Sequence, residues 1–136
     1  MKQYIGIKII KAVPAIKKGG KVYGEGSPIP KTMEKSEEGY KVIYEDGYES
    51  WSPKDVFEKA YRQTDGLNFG LALEAAKQGK GIRLPQWGAD VVIRAQYPDN
   101  YSKMTAPYLY VESRYGCVPW KETMIELFSD DWQIVD

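Results

Sequence analysis

The stretch from Met104 to Trp132 decides the fold. It reads Met104-Thr-Ala-Pro-Tyr-Leu-Tyr-Val-Glu-Ser113, then Gly116-Cys-Val-Pro-Trp120, then Phe128-Ser-Asp-Asp-Trp132, and it holds two of the four tryptophans. Its aromatic and proline residues stand beside threonine, serine and a turn, a composition that suits a ligand pocket at the edge of a small sheet. The same rings also suit a plain sheet core, and residue chemistry alone leaves both interpretations open.

The residues around this stretch predict one helix and several strands. Asn68 is placed to cap a helix whose apolar residues recur at helical spacing, and Gly79 ends it. Strands are predicted over 81–84, 89–96, 107–113 and 131–135, with a further strand carrying a half-buried Cys117. A short helix or turn between Trp120 and Phe128 is expected to pack its apolar residues on the sheet.

The first residues predict a strand followed by a loop. Residues 3–13 are rich in β-branched side chains and partly alternating, which predicts a strand that ends at Pro14. Residues 15–35 are rich in lysine, glycine and proline, which predicts a basic loop rather than a packed element.

A hairpin and a second, shorter helix complete the front of the chain. Residues 39–51 alternate around Asp46-Gly47, which predicts a β-hairpin, and Ser52 with Pro53 predicts a helix start. We therefore expect an α+β fold: a strand, loop, hairpin and helix module over 1–62, and a domain over 67–136 in which a helix packs on a small antiparallel sheet.

Composition excludes several classes of function. The 136 residues carry 19 basic and 19 acidic side chains, a balance that argues against nucleic-acid binding by bulk charge. There is no histidine and only one cysteine, so the usual general base and thiolate zinc sites are missing. No apolar run approaches the roughly 20 residues of a membrane span. We expect a cytoplasmic protein without a cofactor, a metal or a membrane partner.

Recognition of a flat ligand is what the remaining side chains favour. Six rings offer stacking faces, and Arg83 and Arg94 on neighbouring strands are possible partners for an anion. The rings are Trp87, Tyr97, Tyr101, Tyr108, Tyr110 and Trp120. A hydrolase is disfavoured because the adjacent Asp130 and Asp131 point apart in either a strand or a helix. The residues alone do not choose between a nucleotide pocket and core packing.

A resemblance to a known family adds to this interpretation. Residues 67–80 resemble the opening segment of the Thoeris anti-defence protein 2 family of small phage proteins. The next family landmark, an Arg a few residues before a Gly-Trp pair, is similar to Arg83 with Gln86-Trp87, except that Gln86 replaces the Gly. The family's central Met-Thr-x-Pro-Tyr-Ile-Tyr is similar to residues 104–110, and its Val-Pro-Trp and closing Glu-Asp-Trp-x-Ile-Val segments are similar to 118–120 and 130–135. The chain departs from the family pattern at residues 121–124, where members commonly begin with Pro-Ser-Gln.

The resemblance implies a non-enzymatic sponge. Family members assemble as homo-oligomers, usually tetramers, and bind cyclic ADP-ribose isomers that Thoeris enzymes make as alarm signals in infected bacteria; some also take up cyclic oligonucleotides of the CBASS system. Carried over by motif position, the ligand contacts expected here are Arg83, Trp87, Met104, Thr105, Pro107, Tyr108 and Trp120. The alternative is a phage protein that binds a host protein through its front module.

Overall fold

The computed structural model describes the whole chain, residues 1–136, and divides into two compact units, Met1–Tyr61 and Arg62–Asp136. Each unit contains its own antiparallel sheet and at least one helix, so the predicted α+β class is confirmed. None of the helices is long and apolar enough to cross a membrane.

Unit 1, Met1–Tyr61, is a four-stranded sheet followed by a helix. Its strand order is β2-β1-β3-β4, with every neighbouring pair antiparallel. The elements are β1 (Lys11–Lys18), β2 (Lys21–Gly24), β3 (Ser36–Ile43), β4 (Glu49–Pro53) and α1 (Lys54–Ala60). Stacked rings of Tyr40, Phe57 and Tyr61 hold α1 against β3, with successive centroids 4.2 and 4.9 Å apart.

Three predictions about the positions of the first strands of unit 1 were wrong. Residues 1–10 form no regular element and β1 begins at Lys11, so the predicted first strand lies too early. Pro14 does not end β1. The pairing of β1 with β2 begins only at Ala15, so no β2 residue lies opposite Pro14 and its missing N–H costs no hydrogen bond to β2. The predicted loop over 15–35 contains the end of β1 and all of β2, whose connecting Gly19 and Gly20 have positive φ.

The hairpin and helix of unit 1 were predicted correctly, apart from the cap. β3 and β4 pair antiparallel, and Gly47 has a φ of 86° in the connection between them. α1 follows directly, but its N-cap is Pro53 rather than Ser52, and no side chain caps it. The cap prediction was therefore wrong by one residue.

Unit 2, Arg62–Asp136, packs a helix on a five-stranded antiparallel sheet, as predicted. The strand order is β8-β7-β6-β5-β9. The elements are α2 (Phe69–Lys77), β5 (Gly81–Arg83), β6 (Val92–Gln96), β7 (Tyr108–Ser113), β8 (Gly116–Pro119), α3 (Met124–Leu127) and β9 (Gln133–Val135). Asn68 caps α2 as expected, since its Oδ1 accepts a hydrogen bond from the Leu71 N–H at 2.9 Å.

The core of unit 2 lies between α2 and the central strands. Fully buried apolar side chains include Ile82 of β5, Ile93 of β6 and Trp132, with three alanines of α2 facing them. Leu67 and Trp132 form an isolated antiparallel bridge, which ties the start of α2 to the start of β9. The alanines let the helix approach the sheet closely, because a small side chain leaves little space to fill.

Two burial expectations for unit 2 were wrong. Cys117 is exposed, because it lies in the edge strand β8, every residue of which is exposed. The short helix α3 forms where it was predicted, but Met124, Ile125 and Phe128 do not pack on the sheet and are 67%, 83% and 81% exposed. A four-residue helix can turn only one side toward the sheet, and Leu127 is the half-buried apolar residue on that side.

Candidate functional site

An open cavity of about 700 Å³ lies in unit 2, beside the start of β7. It is bounded by the loop that precedes β7, the end of β8, the first residue of α2 and the last residue of α3. Its lining residues are Phe69, Met104, Thr105, Ala106, Pro107, Tyr108, Leu109, Pro119, Trp120, Glu122 and Leu127. The wall is mainly apolar and aromatic, which is typical of pockets for small organic ligands.

The structure brings five of the seven predicted contact residues to this cavity: Met104, Thr105, Pro107, Tyr108 and Trp120. Met104, Thr105 and Pro107 are exposed at the end of the loop, whereas Tyr108 and Trp120 are half-buried. Trp120 is fixed to the sheet by its backbone N–H, which donates to the Leu109 carbonyl at 2.9 Å. Ligand contact by these residues stays a prediction.

Arg83 and Trp87 do not line the cavity. The Arg83 guanidinium donates from Nη2 to the carbonyls of Trp87 and Gly88, at 2.8 and 2.9 Å, and from Nη1 to Oε1 of Gln133 at 3.3 Å. Arg83 therefore holds the segment after β5 against β9. Ligand contact by Arg83 and Trp87 also stays a prediction, but neither side chain is placed beside the other five.

An aromatic cluster supports the floor of the cavity. The fully buried Trp132 ring is surrounded by three others: Phe69 at 5.3 Å, Trp87 at 5.5 Å and Trp120 at 5.9 Å between centroids. The indole N–H of Trp132 donates to the Glu126 carbonyl at 2.9 Å, which holds α3 beside the cluster. The cavity-facing rings Phe69 and Trp120 thus rest on a rigid core residue.

The loop that supplies Met104 and Thr105 is fixed by Asp99. Its carboxylate accepts hydrogen bonds from the Tyr101 N–H at 2.9 Å and from the Ser102 hydroxyl at 3.0 Å. These hydrogen bonds hold the pKa of Asp99 below its ordinary value, with the Tyr101 N–H as the largest cause. The turn at Asp99 sets the direction in which the loop approaches the cavity.

The cavity offers binding groups but no acid/base pair. Glu122 is its only charged lining residue, and no second carboxylate, cysteine or lysine lies on the wall. No group of three or more acidic or cysteine side chains in the chain is close enough to hold a metal ion. The rings of Trp120 and Tyr108 can stack a flat group, and the Thr105 hydroxyl can exchange a hydrogen bond.

Sequence reasoning missed part of the wall. Phe69 belongs to the apolar stripe of α2, and the sequence pattern around Leu109 and Leu127 predicts core, yet all three line the cavity. One feature of the sequence pointed to Glu122: it lies in the segment, residues 121–124, where the chain departs from the family pattern. No such feature pointed to the other three, since a half-buried residue in a core and one in a cavity wall follow the same periodicity.

Comparison with known proteins places unit 2 in a family. Residues 67–135 match the family model of the Thoeris anti-defense 2-like domain, which covers 69 of the 136 residues. The match begins one residue before the cap of α2 and ends in β9, so it includes every residue of the cavity wall. No curated protein matches the chain.

Proposed function

Because this chain belongs to the Thoeris anti-defense 2-like family, we propose that it is a phage sponge that binds a cyclic nucleotide immune signal and holds it without cleaving it. The family gives the anti-defence role against Thoeris and implies that the role is not catalytic. The binding of a ligand is supported by the cavity, whose wall includes the five residues of the matching motifs, the rings of Tyr108 and Trp120 among them.

The proposed ligand is a cyclic ADP-ribose isomer. Its adenine stacks on Trp120 or Tyr108, and its ribose hydroxyls lie near Thr105 and the Glu122 carboxylate, which accepts hydrogen bonds. A volume of about 700 Å³ is within the range of small-molecule sites. One base of a cyclic oligonucleotide, the signal of the CBASS system, fits the same wall because every base has a flat face.

Sequestration explains why a wall without an acid/base pair is sufficient. A sponge lowers the free concentration of a signal by binding it tightly, and it needs no proton transfer or nucleophile. It also needs many sites in the compartment where the signal is made, which we propose is the cytoplasm of the infected bacterial cell. We further propose a homo-oligomer, a tetramer by family resemblance, supported by the exposed Met124 and Ile125 of α3 and Phe128 at its C-cap.

Calorimetry with release of the ligand tests the proposal directly. The purified chain is titrated with a glyco-cyclic ADP-ribose, and in parallel with a cyclic dinucleotide. The complex is then heat-denatured and the released compound is identified by mass spectrometry. We expect saturable binding of at least the first ligand and recovery of the intact molecule. Absence of any heat, or recovery of a cleaved product, rules out a sponge.

A further inference from the structure

We propose that Lys103 and Lys121 form a cationic rim on the cavity and hold the phosphates of the ligand. The inference rests on the proposed function, since it assigns the anion-binding groups of the same site. It replaces the expectation that Arg83 provides the positive charge.

The cavity wall itself has no cation to pair with a phosphate. Its only charged residue is Glu122, whose carboxylate repels an anion. A pyrophosphate placed deep among the lining residues would therefore meet a carboxylate and no positive charge. At the mouth it stays in contact with water and closer to cations beside the wall.

The cations of unit 2 divide into two groups. Unit 2 holds eight lysines and arginines, and six of them, Arg62 included, are engaged within the chain. Lys77 pairs with Glu74, Lys80 and Arg94 reach Asp136, Arg114 pairs with Asp90, and Arg83 donates to the carbonyls described above. The two that pair with nothing are Lys103 and Lys121.

Both unpaired lysines are direct neighbours of the cavity wall. Lys103 precedes Met104, and Lys121 lies between the lining residues Trp120 and Glu122. Both are exposed. A lysine carries its ammonium on a flexible four-carbon stem, so each charge can take up several positions around its point of attachment beside the wall.

Arg83 is a poorer candidate for the same task. Its Nη2 would have to leave two carbonyls at 2.8 and 2.9 Å before it could meet a phosphate. Those carbonyls would then lose a charge-assisted hydrogen bond. The two lysines lose no partner when they bind an anion, so they bind at the lower cost.

A double variant with a matched control tests the rim. We compare Lys103→Gln/Lys121→Gln with Lys77→Gln/Lys80→Gln, which removes two engaged lysines outside the wall. The probe is a glyco-cyclic ADP-ribose, titrated by calorimetry at low and high salt. We expect the rim variant to bind roughly tenfold more weakly and to lose most of the salt dependence, while the control binds like the wild type.

Two further arms separate the possible results. Lys103→Arg/Lys121→Arg keeps the charge and is expected to keep the affinity, which shows that the charge is what the ligand needs. A thermal unfolding curve of the glutamine variant that matches the wild type shows that its loss of affinity is not a folding defect. Wild-type affinity in the glutamine variant, or equal losses in it and the control, overturns the rim while the sponge stands. A wild-type chain that binds nothing overturns the sponge and the rim together.

Discussion

Trp120, which lines the cavity, meets the fully buried Trp132 edge to face, with centroids 5.9 Å apart and ring planes at 83°. Trp120 faces the cavity, whereas Trp132 packs beneath it in the core. We expect Trp132→Ala to lower the free energy of unfolding by about 3–5 kcal/mol, because it leaves a cavity where a whole ring was buried.

Trp120→Ala is expected to weaken ligand binding more than it lowers the stability of the fold. Its half-buried ring leaves a smaller void, so the stability loss should be about 1–2 kcal/mol, whereas binding of a cyclic ADP-ribose isomer should fall by at least tenfold because a stacking face is lost. Urea unfolding and calorimetry on the same preparations measure both. A larger stability loss than in Trp132→Ala, or unchanged binding, contradicts the assignment.

Local sequence pattern predicts the cap of α2 and the hairpin turn of this chain but not the pairing of β1 or the packing of α3. Asn68 and Gly47 were predicted correctly because a cap and a tight turn depend on neighbouring residues. The end of β1 was wrongly predicted at Pro14, because it depends on which strand lies alongside. The burial of the apolar residues of α3 was wrongly predicted, because it depends on which side of the helix meets the sheet. Arg83 is similar: its motif position gives no sign that the carbonyls of Trp87 and Gly88, and the distant Gln133 side chain, occupy its donors.

Met104 offers a test of the cavity with little risk to the fold. Its side chain is 54% exposed at the end of the loop, so Met104→Glu should leave the unfolding curve nearly unchanged. A second carboxylate on a wall that already holds Glu122 should repel a phosphate-bearing ligand and weaken its binding several-fold. Met33→Glu, at a fully exposed methionine of unit 1, is the control and should bind normally. Equal binding by both variants would place the ligand elsewhere.

Asp99 should matter for binding more than for stability. Asp99→Ala removes the acceptor of the Tyr101 N–H and the Ser102 hydroxyl, so the loop that carries Met104 loses its fixed turn. We expect weaker ligand binding with a slower association rate and a nearly unchanged melting temperature. Stopped-flow binding and thermal unfolding check the two parts. Normal association kinetics would show that Asp99 does not position the loop.

Asp90 should make stability depend on pH in the acid range. Its Oδ2 accepts from the backbone N–H of Arg114 at 2.9 Å and from Nε at 3.2 Å, and these bonds hold the pKa of Asp90 below its ordinary value, with the backbone N–H as the larger cause. A carboxyl with a lowered folded pKa stabilises the fold above its ordinary pKa, and that contribution is lost as the pH falls through the folded pKa.

The stability difference between wild type and Asp90→Asn should therefore be constant at neutral pH and shrink as the pH falls from the ordinary aspartate pKa toward the lower folded value. Urea unfolding at a series of pH values measures it. Asp65→Asn, at an exposed aspartate that pairs with no cation, is the matched control. A difference that grows on acidification would mean that Asp90 is not the stabilising partner of Arg114.

Gly39 allows unit 1 to be disrupted by one methyl group. A Cβ at this position would collide with the Ser52 carbonyl and lie 2.5 Å from Cζ2 of Trp51, whose indole N–H reaches the Ala15 carbonyl across the sheet. We expect Gly39→Ala to lower the free energy of unfolding of unit 1 by about 1–3 kcal/mol or more, as at overpacked sites. Gly24→Ala, in β2 of the same sheet, meets nothing within 4 Å and is the control.

The Gly39→Ala variant also separates the sponge from a protein that acts through its front module. The cavity and both rim lysines lie in unit 2, so ligand binding should survive the loss of unit 1. Hydrogen exchange should show unit 1 open and unit 2 protected, with calorimetry unchanged. If anti-defence activity disappears while ligand binding remains, unit 1 has a task of its own, and binding of a host protein through residues 1–62 becomes the better account of that task.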